Sequence, residues 1–395
     1  MKTFLLSARY SDNLGDGVIG DCLEWMIRRI RPGNEIIHMD VAARREFSPR
    51  DATKVSPAKR VFYSLPMPLR PLAVLLAWPL QRSRLLSAWE ETLSSLHRPG
   101  QVCAIVAGGQ LISDVALNFP LKINFASRQL SSIKCPVAIF AVGASSKISP
   151  LGRRLFQRAF DQIDLRWVGA RDRDSLKNLQ AFELKPEPRL TIDPAVWAKD
   201  AYQIRRKVDQ GNVVGIGIAH PDELSAHVSD GASSARDDFV EFVRALVGHI
   251  SPYCKTVLFN NGSAEDELFT KYIASKLYSN GFEIEVAARP ETPRALVETI
   301  SQFDVVVAHR LHSNIIGFSL GIPTIGMRWD KKVESFFMES GRSDYCLPFL
   351  DAAAAGDLIR RAISRTDAEA DQERLQKLKS FAMTELELLI QAVEK

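Results

Sequence analysis

Arg310, His312 and Lys332 stand within one stretch, AHRLHSNIIGFSLGIPTIGMRWDKKVESFF, from Ala308 to Phe337, and their types point to an anion site containing an acid/base. A guanidinium and an ammonium bind phosphate or carboxylate, and an imidazole exchanges its proton near neutral pH. Ser313 and Asn314 add hydrogen-bond donors beside them. The apolar run Asp304 to Ala308 reads as a buried parallel strand and Leu311 to Leu320 as the helix after it, so Arg310 and His312 fall where the strand ends. Ligands of open α/β sheets bind beyond the carboxyl ends of strands, and the free N–H groups opening the next helix favour anions. Gly321 ends that helix, and a short strand from Pro323 to Met327 delivers Asp330, Lys331 and Lys332 to the same edge.

Three further segments carry candidate residues. NLGDGVIGD, from Asn13 to Asp21, follows the first strand and opens a helix with Leu23, Met26, Ile27 and Ile30 on one face. Its glycines, Gly15 among them, let backbone approach a ligand closely, although the spacing is not a dinucleotide fingerprint and a helix N-cap by Asn13 or Asp16 is equally consistent. In AGGQLISD, from Ala107, Gly108 and Gly109 leave room for a ligand while Gln110 and Asp114 can hydrogen-bond a sugar. In GARDRDSLKNL, Arg171 lies at a strand end, where its fork suits phosphate or carboxylate. A salt bridge to Asp172 or Asp174 would use the same side chain. His309 reads as a core residue, and the remaining histidines lack partners in sequence. HExxH, Walker A and GxSxG patterns are absent, so metal, ATP and serine-hydrolase chemistry are not signalled.

These residues need strand ends to hold them. Strand-like runs recur at Thr3 to Ala8, Val102 to Ala107, Val137 to Val142 and Trp167 to Ala170, with helical patterns between them. A second series follows at Val213 to Ala219, Thr256 to Asn260, Glu283 to Val286, Val305 to Ala308 and Thr324 to Met327. Alternation of this kind implies parallel sheets. The expected fold class is α/β: two Rossmann-like domains facing across a cleft, over residues 1–200 and 211–350, then C-terminal helices over 351–395. The polar segment Asp200 to Gly211 is the expected linker. Leu375, Leu378, Phe381, Leu386, Leu388 and Leu389 mark a terminal helix packed on a domain.

A chain of 395 residues exceeds the usual limit of one core, and a net charge of +4 fits a small anionic ligand better than nucleic acid. Five widely spaced cysteines, Cys22, Cys103, Cys135, Cys254 and Cys346, read as reduced. The apolar run at the N-terminus is too short for a signal peptide, so no export and a cytoplasmic location are expected. Lys54 to Arg84 departs from the α/β rhythm: prolines interrupt its apolar and aromatic residues, and Lys59, Arg60, Arg70, Arg82 and Arg84 flank them. The prolines argue against a membrane span. A segment lying on anionic lipid and an elaborated loop packed on the first domain both remain open.

Taken in order, NLGD at Asn13, AGGQLISD at Ala107, AVGAS at Ala141, ARDRDSL at Ala170, TIDPAVW at Thr191 and HRLHSNIIGFSLGIPTIGMRWDKKVESFF at His309 resemble the polysaccharide pyruvyl transferase family over nearly the whole chain. The last block is the specific one. Ala107 stands where the family often has a third glycine, and Trp329 where it usually has tyrosine, which bears on acceptor contacts.

The resemblance implies a GT-B-like fold and phosphoenolpyruvate as donor substrate, with no metal or other cofactor. His312 is then the expected catalytic acid/base. Arg310, Lys332, Arg171, Ser313 and Asn314 would bind phosphoenolpyruvate, and Asn13, Gly15, Asp16, Gly108, Gly109, Gln110 and Asp114 the acceptor. It also implies a glycan acceptor from a bacterial exopolysaccharide or cell wall, carried on a polyprenyl lipid, and peripheral location at the inner face of the plasma membrane. Two rivals remain: a GT-B glycosyltransferase using a nucleotide sugar, and a non-catalytic glycan- or membrane-binding relative.

Overall fold

A computed structural model of the chain describes residues 2–47, 61–62, 64–94, 102–205, 212–221, 236–348, 350–364 and 367–395. Its strands form two parallel six-stranded sheets. The first contains β1 (Lys2–Ser7), β2 (Glu35–Asp40), β3 (Val102–Ala107), β4 (Pro136–Val142), β5 (Asp164–Ala170) and β6 (Arg189–Leu190), in the order β2-β1-β3-β4-β5-β6. The second contains β7 (Val213–Gly217), β8 (Lys255–Phe259), β9 (Glu285–Val286), β10 (Val305–Ala308), β11 (Thr324–Arg328) and β12 (Cys346–Pro348), in the order β12-β11-β10-β7-β8-β9. The expected linker lies partly outside the described residues, at 206–211.

Central strands such as VCAIVA and VVVA are apolar throughout because helices cover both faces of each sheet. Edge strand β2, EIIHMD, pairs only with β1 and is half-exposed. It therefore has no continuous apolar run, and sequence periodicity passes over it, as it does over the short β6 and β12.

The crossovers of the first domain are α1 (Leu14–Ile30), α2 (Arg70–Ser94), α3 (Asn118–Ser132), α4 (Pro150–Asp161) and α5 (Arg173–Gln180). After a 3-10 turn at Pro194–Trp197 and the short α6 (Ala198–Ala201) come α7 (Arg236–Ile250), α8 (Ala264–Ser279), α9 (Pro293–Ile300), α10 (Leu311–Ser319), α11 (Lys331–Glu339), α12 (Ala352–Ile363) and α13 (Ala368–Glu394). Local chemistry sets several boundaries. The Ser149 hydroxyl accepts from Gly152 N at 3.0 Å ahead of Pro150, a cap worth about 1 kcal/mol. Gly321, at φ +72°, ends α10 in a left-handed turn that a side chain would resist.

A continuous core links the domains through Leu14, Val18 and Leu23 of α1 and Leu386, Leu389 and Ile390 of α13. Helix α13 leaves the second domain and lies back against β4 and β5 of the first, tied by Arg189–Glu385 at 2.9 Å and Arg31–Glu394 at 2.8 Å. Its buried face includes Ala382 and Ile390, whereas Phe381 and Leu388, expected on that face, are exposed. Across the cleft, Arg173 pairs with Glu339 at 3.0 Å and the Ser335 hydroxyl donates to Asp174 at 3.0 Å.

The segment expected to be a loop or lipid contact contains a helix from Arg70 to Ser94, with Pro71 in its first turn and Pro79 inside it. Residues 54–60 and Tyr63 of that segment lie outside the described residues.

Candidate active site

Each sheet has a switch point where strand order reverses, between β1 and β3 in the first and between β7 and β10 in the second. Loops leaving neighbouring strands diverge there and open a crevice. The loops after β1, β3 and β10 converge on a cavity of about 350 Å³ between the domains. From the first domain Ser11, Asp12, Asn13, Asp16, Arg44, Gly109, Gln110, Ser113, Phe119 and Arg171 line it; from the second, Ser263, Arg310, Leu311, His312, Trp329 and Lys332. Arg310, His312 and Lys332 therefore share one wall with Arg171, although Arg171 comes from the other sheet.

His312 sits in the first turn of α10, whose N-terminus has no side-chain cap. Its Nε2 lies 3.5 Å from Oδ2 of buried Asp193, and neither atom has a hydrogen-bond partner. Asp193 begins the TIDPAVW turn and fixes its other oxygen on Ala195 N at 3.0 Å. Burial alone would raise the Asp193 carboxyl, but His312, Arg171 and the Ala195 N–H outweigh it and hold the group below its usual range. Sequence inspection passed over Asp193. The Asp-Pro pair inside an apolar turn was the available signal.

Arg171 is almost fully buried at the end of β5 and packs against Gly143, where a Cβ would stand 2.8 Å from its Nη2. Its Nε donates to Asp172 at 3.3 Å, and Nη1 lies 3.9 Å from Asp193. The salt bridge to Asp172 is therefore made, and the paired guanidinium also lines the cavity. Asp172 also caps α5 through Ser175 N at 2.7 Å. Arg310 is held in a fork by buried Asp266, with Nη2 2.8 Å from Oδ2 and Nε 3.2 Å from the same oxygen.

Lys332 enters from the first turn of α11, capped by Asp330, which accepts from Lys332 N at 3.2 Å. The ammonium is 3.3 Å from Asp330 and 4.3 Å from the centre of the Trp329 ring. Burial lowers its affinity for a proton, Asp330 opposes that, and Arg171 and Arg310 add to it. Trp329 is fixed by its own indole N–H on the His309 carbonyl. His309 itself packs against Phe239 and Phe242 in the core.

On the first-domain wall Asn13 occupies the N-cap position of α1 without a side-chain cap; its carbonyl accepts from Asp16 N at 3.1 Å, and Leu14 N donates to the Asn261 carbonyl across the cleft at 3.0 Å. Asn13 Oδ1 and Gln110 Oε1 are buried without hydrogen-bond partners at the cavity wall.

Five of the sequence candidates lie outside this wall. The Ser313 hydroxyl donates to Asn261 Oδ1 at 2.6 Å, and the Asn314 amide donates to the Ala308 and Arg310 carbonyls at 3.1 Å, because those positions of α10 turn inward. Gly15 backs onto the His312 ring and Gly108 onto Ile19. Asp114 accepts from Ser149 N at 2.9 Å and Leu117 N at 2.7 Å, holding a loop whose Ala116 and Leu117 have positive φ.

The sequence signature of the polysaccharide pyruvyl transferase family matches residues 13–331. No curated protein matches the chain. Among solved structures, UDP-GlcNAc 2-epimerase from Neisseria meningitidis bound to UDP-GlcNAc is similar with a TM-score of 0.52 and 12% identity, covering 100% of this chain and 99% of that one. The α,α-trehalose-phosphate synthase (UDP-forming) of Burkholderia vietnamiensis gives a TM-score of 0.53 at 10% identity, covering 99% and 98%. At such identities the likeness establishes the fold, which is GT-B-like.

Proposed function

Because this chain belongs to the polysaccharide pyruvyl transferase family, we propose that it transfers pyruvate from phosphoenolpyruvate to two hydroxyls of one sugar, forming a cyclic ketal and releasing phosphate. One observation carries the reading: three cations, Arg171, Arg310 and Lys332, line the same cavity as His312. A donor bearing both a phosphate and a carboxylate suits such a set, each cation being held in place by its own carboxylate: Arg171 by Asp172, Arg310 by Asp266 and Lys332 by Asp330.

In this reading His312 gives its proton to the methylene carbon of the donor. The central carbon becomes electrophilic, the first sugar hydroxyl bonds to it, and that hydroxyl's proton returns to His312. Asp193, with Oδ2 3.5 Å from Nε2, orients the ring. The bond from the central carbon to the phosphate oxygen then breaks. The second hydroxyl bonds to the same carbon, and its proton leaves with the phosphate. Arg171, Arg310 and Lys332 stabilise the charge on the departing group. Asn13 and Gln110, with unpaired oxygens at the opposite wall, hold the sugar hydroxyls. The acceptor is a bacterial exopolysaccharide or cell-wall intermediate on a polyprenyl carrier, which places the enzyme at the inner face of the membrane. Among the described residues no helix is long and apolar enough to cross one.

The test is phosphate release from phosphoenolpyruvate by the purified chain with a panel of free and lipid-linked oligosaccharides, following acceptor mass in parallel. Acceptor-dependent release with a pyruvate ketal on the sugar is expected, and His312→Ala should reduce it ~10²–10⁴-fold while leaving folding intact. Thermal stabilisation by a uridine nucleotide, with none by phosphoenolpyruvate, would instead favour a nucleotide-sugar transferase.

A further inference from the structure

The outer face of α2 bears leucines that no packing among the described residues explains. Leu72, Leu75, Leu76, Leu80 and Leu86 are all exposed, Leu76 at 73% and Leu80 at 74%, and Met67 and Leu69 in the turn just ahead of the helix are exposed as well. Scattered exposed apolar residues are ordinary, but contiguous ones mark a contact surface. At ~100° per residue these leucines fall on an arc of about 140°, opposite the buried Val74, Leu85 and Trp89. Arg82 borders one side of the arc and Arg84 the other.

Charge selects the occupant. From Leu69 to Trp89 the sequence contains Arg70, Arg82 and Arg84 and no Asp or Glu; Glu90 and Glu91 follow in the last turns of α2. An apolar arc edged by Arg82 and Arg84, with the acids of α2 confined to its far end at Glu90 and Glu91, complements a negatively charged bilayer surface: the leucines enter the acyl boundary and the arginines meet headgroup phosphates. We propose that the outer face of α2 is a docking surface for anionic lipid, with the helix lying in the plane of the interface.

The position of the face gives it a use. Its inner side, through Val74 and Trp78, packs on Leu117 and Leu121 of the segment that carries Phe119, and Phe119 lines the cavity. Docking through α2 would bring the first-domain wall near the bilayer. This last step rests on the lipid-linked acceptor assigned above, whereas the docking itself does not.

The full-length chain is sedimented with vesicles of phosphatidylcholine, with and without phosphatidylglycerol, at low and high salt. Binding to the mixed vesicles, weakened by salt, is expected, with about tenfold or greater loss in Leu76→Glu/Leu80→Glu and a smaller loss in Arg82→Ala/Arg84→Ala. Unchanged circular dichroism and unchanged turnover on a soluble acceptor would establish that the leucine variant is folded. Failure of the parent protein to bind mixed vesicles, or equal binding by the leucine variant, would overturn the proposal. So would a concentration-dependent dimer that the same substitutions dissolve, since a second copy would then occupy the face. Phosphoenolpyruvate turnover is read separately, so loss of lipid docking and failure of the pyruvyl-transfer reading are distinguishable.

Discussion

The Cα of Gly15, in the first turn of α1, lies directly against the imidazole of His312 in the opposite domain, so close that a Cβ on Gly15 would stand 2.6 Å from the ring's Cγ. The ring is thus clamped between Gly15 and Asp193. One residue of the N-terminal domain bounds the position of an imidazole of the C-terminal domain across the cleft.

Gly15→Ala should therefore displace His312 or open the cleft. Displacements near 1 Å cost ~10²-fold in rate, so kcat should fall about that much, and the overpacked contact should lower stability by about 1–3 kcal/mol. A variant with parental kcat would show that the imidazole tolerates the shift and is not the positioned acid.

Asp193→Asn keeps the shape of the turn and removes the charge facing His312. The carboxamide no longer holds the imidazole as the carboxylate does, so kcat should fall ~10²-fold from misplacement of the ring, with the KM for phosphoenolpyruvate changing less. A parental kcat, or a fall in kcat matched by an equal loss of thermal stability, would point to a carboxylate that serves only the turn.

Lys332→Ala removes one cation from the donor wall. A hydrogen bond to a charged group is worth ~1.5–3 kcal/mol, so the KM for phosphoenolpyruvate should rise by roughly 10–100-fold. Because burial lowers the proton affinity of Lys332, donor binding in the parent protein should weaken with rising pH before ordinary lysines titrate. The variant should lose that alkaline limb, and titration of donor binding by calorimetry checks it.

Stability should also depend on pH through His309, away from the reacting atoms. Burial holds it down at about 3; a hydrogen bond to the Gly217 backbone opposes this, and Arg310 adds to it. An unfolded histidine titrates at roughly 6.5, so between these values the unfolded chain binds one more proton. Stability therefore falls as pH is lowered through that window, by ~1.4 kcal/mol per unit well inside it. Denaturant unfolding at pH 7 and pH 5 should show a smaller acid loss in His309→Gln than in the parent, and equal losses would exclude this origin.

Much of the frame was legible in the chain. The runs at Val102 and Val305 are apolar on both faces, which only a covered parallel strand requires, and the Gly321 turn announces the end of α10. Strand β2 was not legible, because an edge strand is half-exposed and its alternation is broken by His38. Helix α2 was hidden by its prolines, and its leucines face outward, against the rule from which a core face is inferred.

In the candidate site, residue type and position at a strand end identified Arg171, Arg310, His312 and Lys332, because local strand-to-helix geometry repeats wherever that pattern occurs. The sequence likewise fixed which segments carry glycine. It did not separate Asn13 and Gln110, which line the cavity with unpaired oxygens, from Ser313, Asn314 and Asp114, which hold turns and loops. That division depends on which way each side chain turns once its helix is packed. Nor did it join Asp193 to His312, or Gly15 to the same ring. Those contacts cross between segments about 120 and 300 residues apart and exist only when the two sheets are brought face to face, since hydrogen bonds and steric contacts act over a few ångströms in space and leave no periodic trace along the chain.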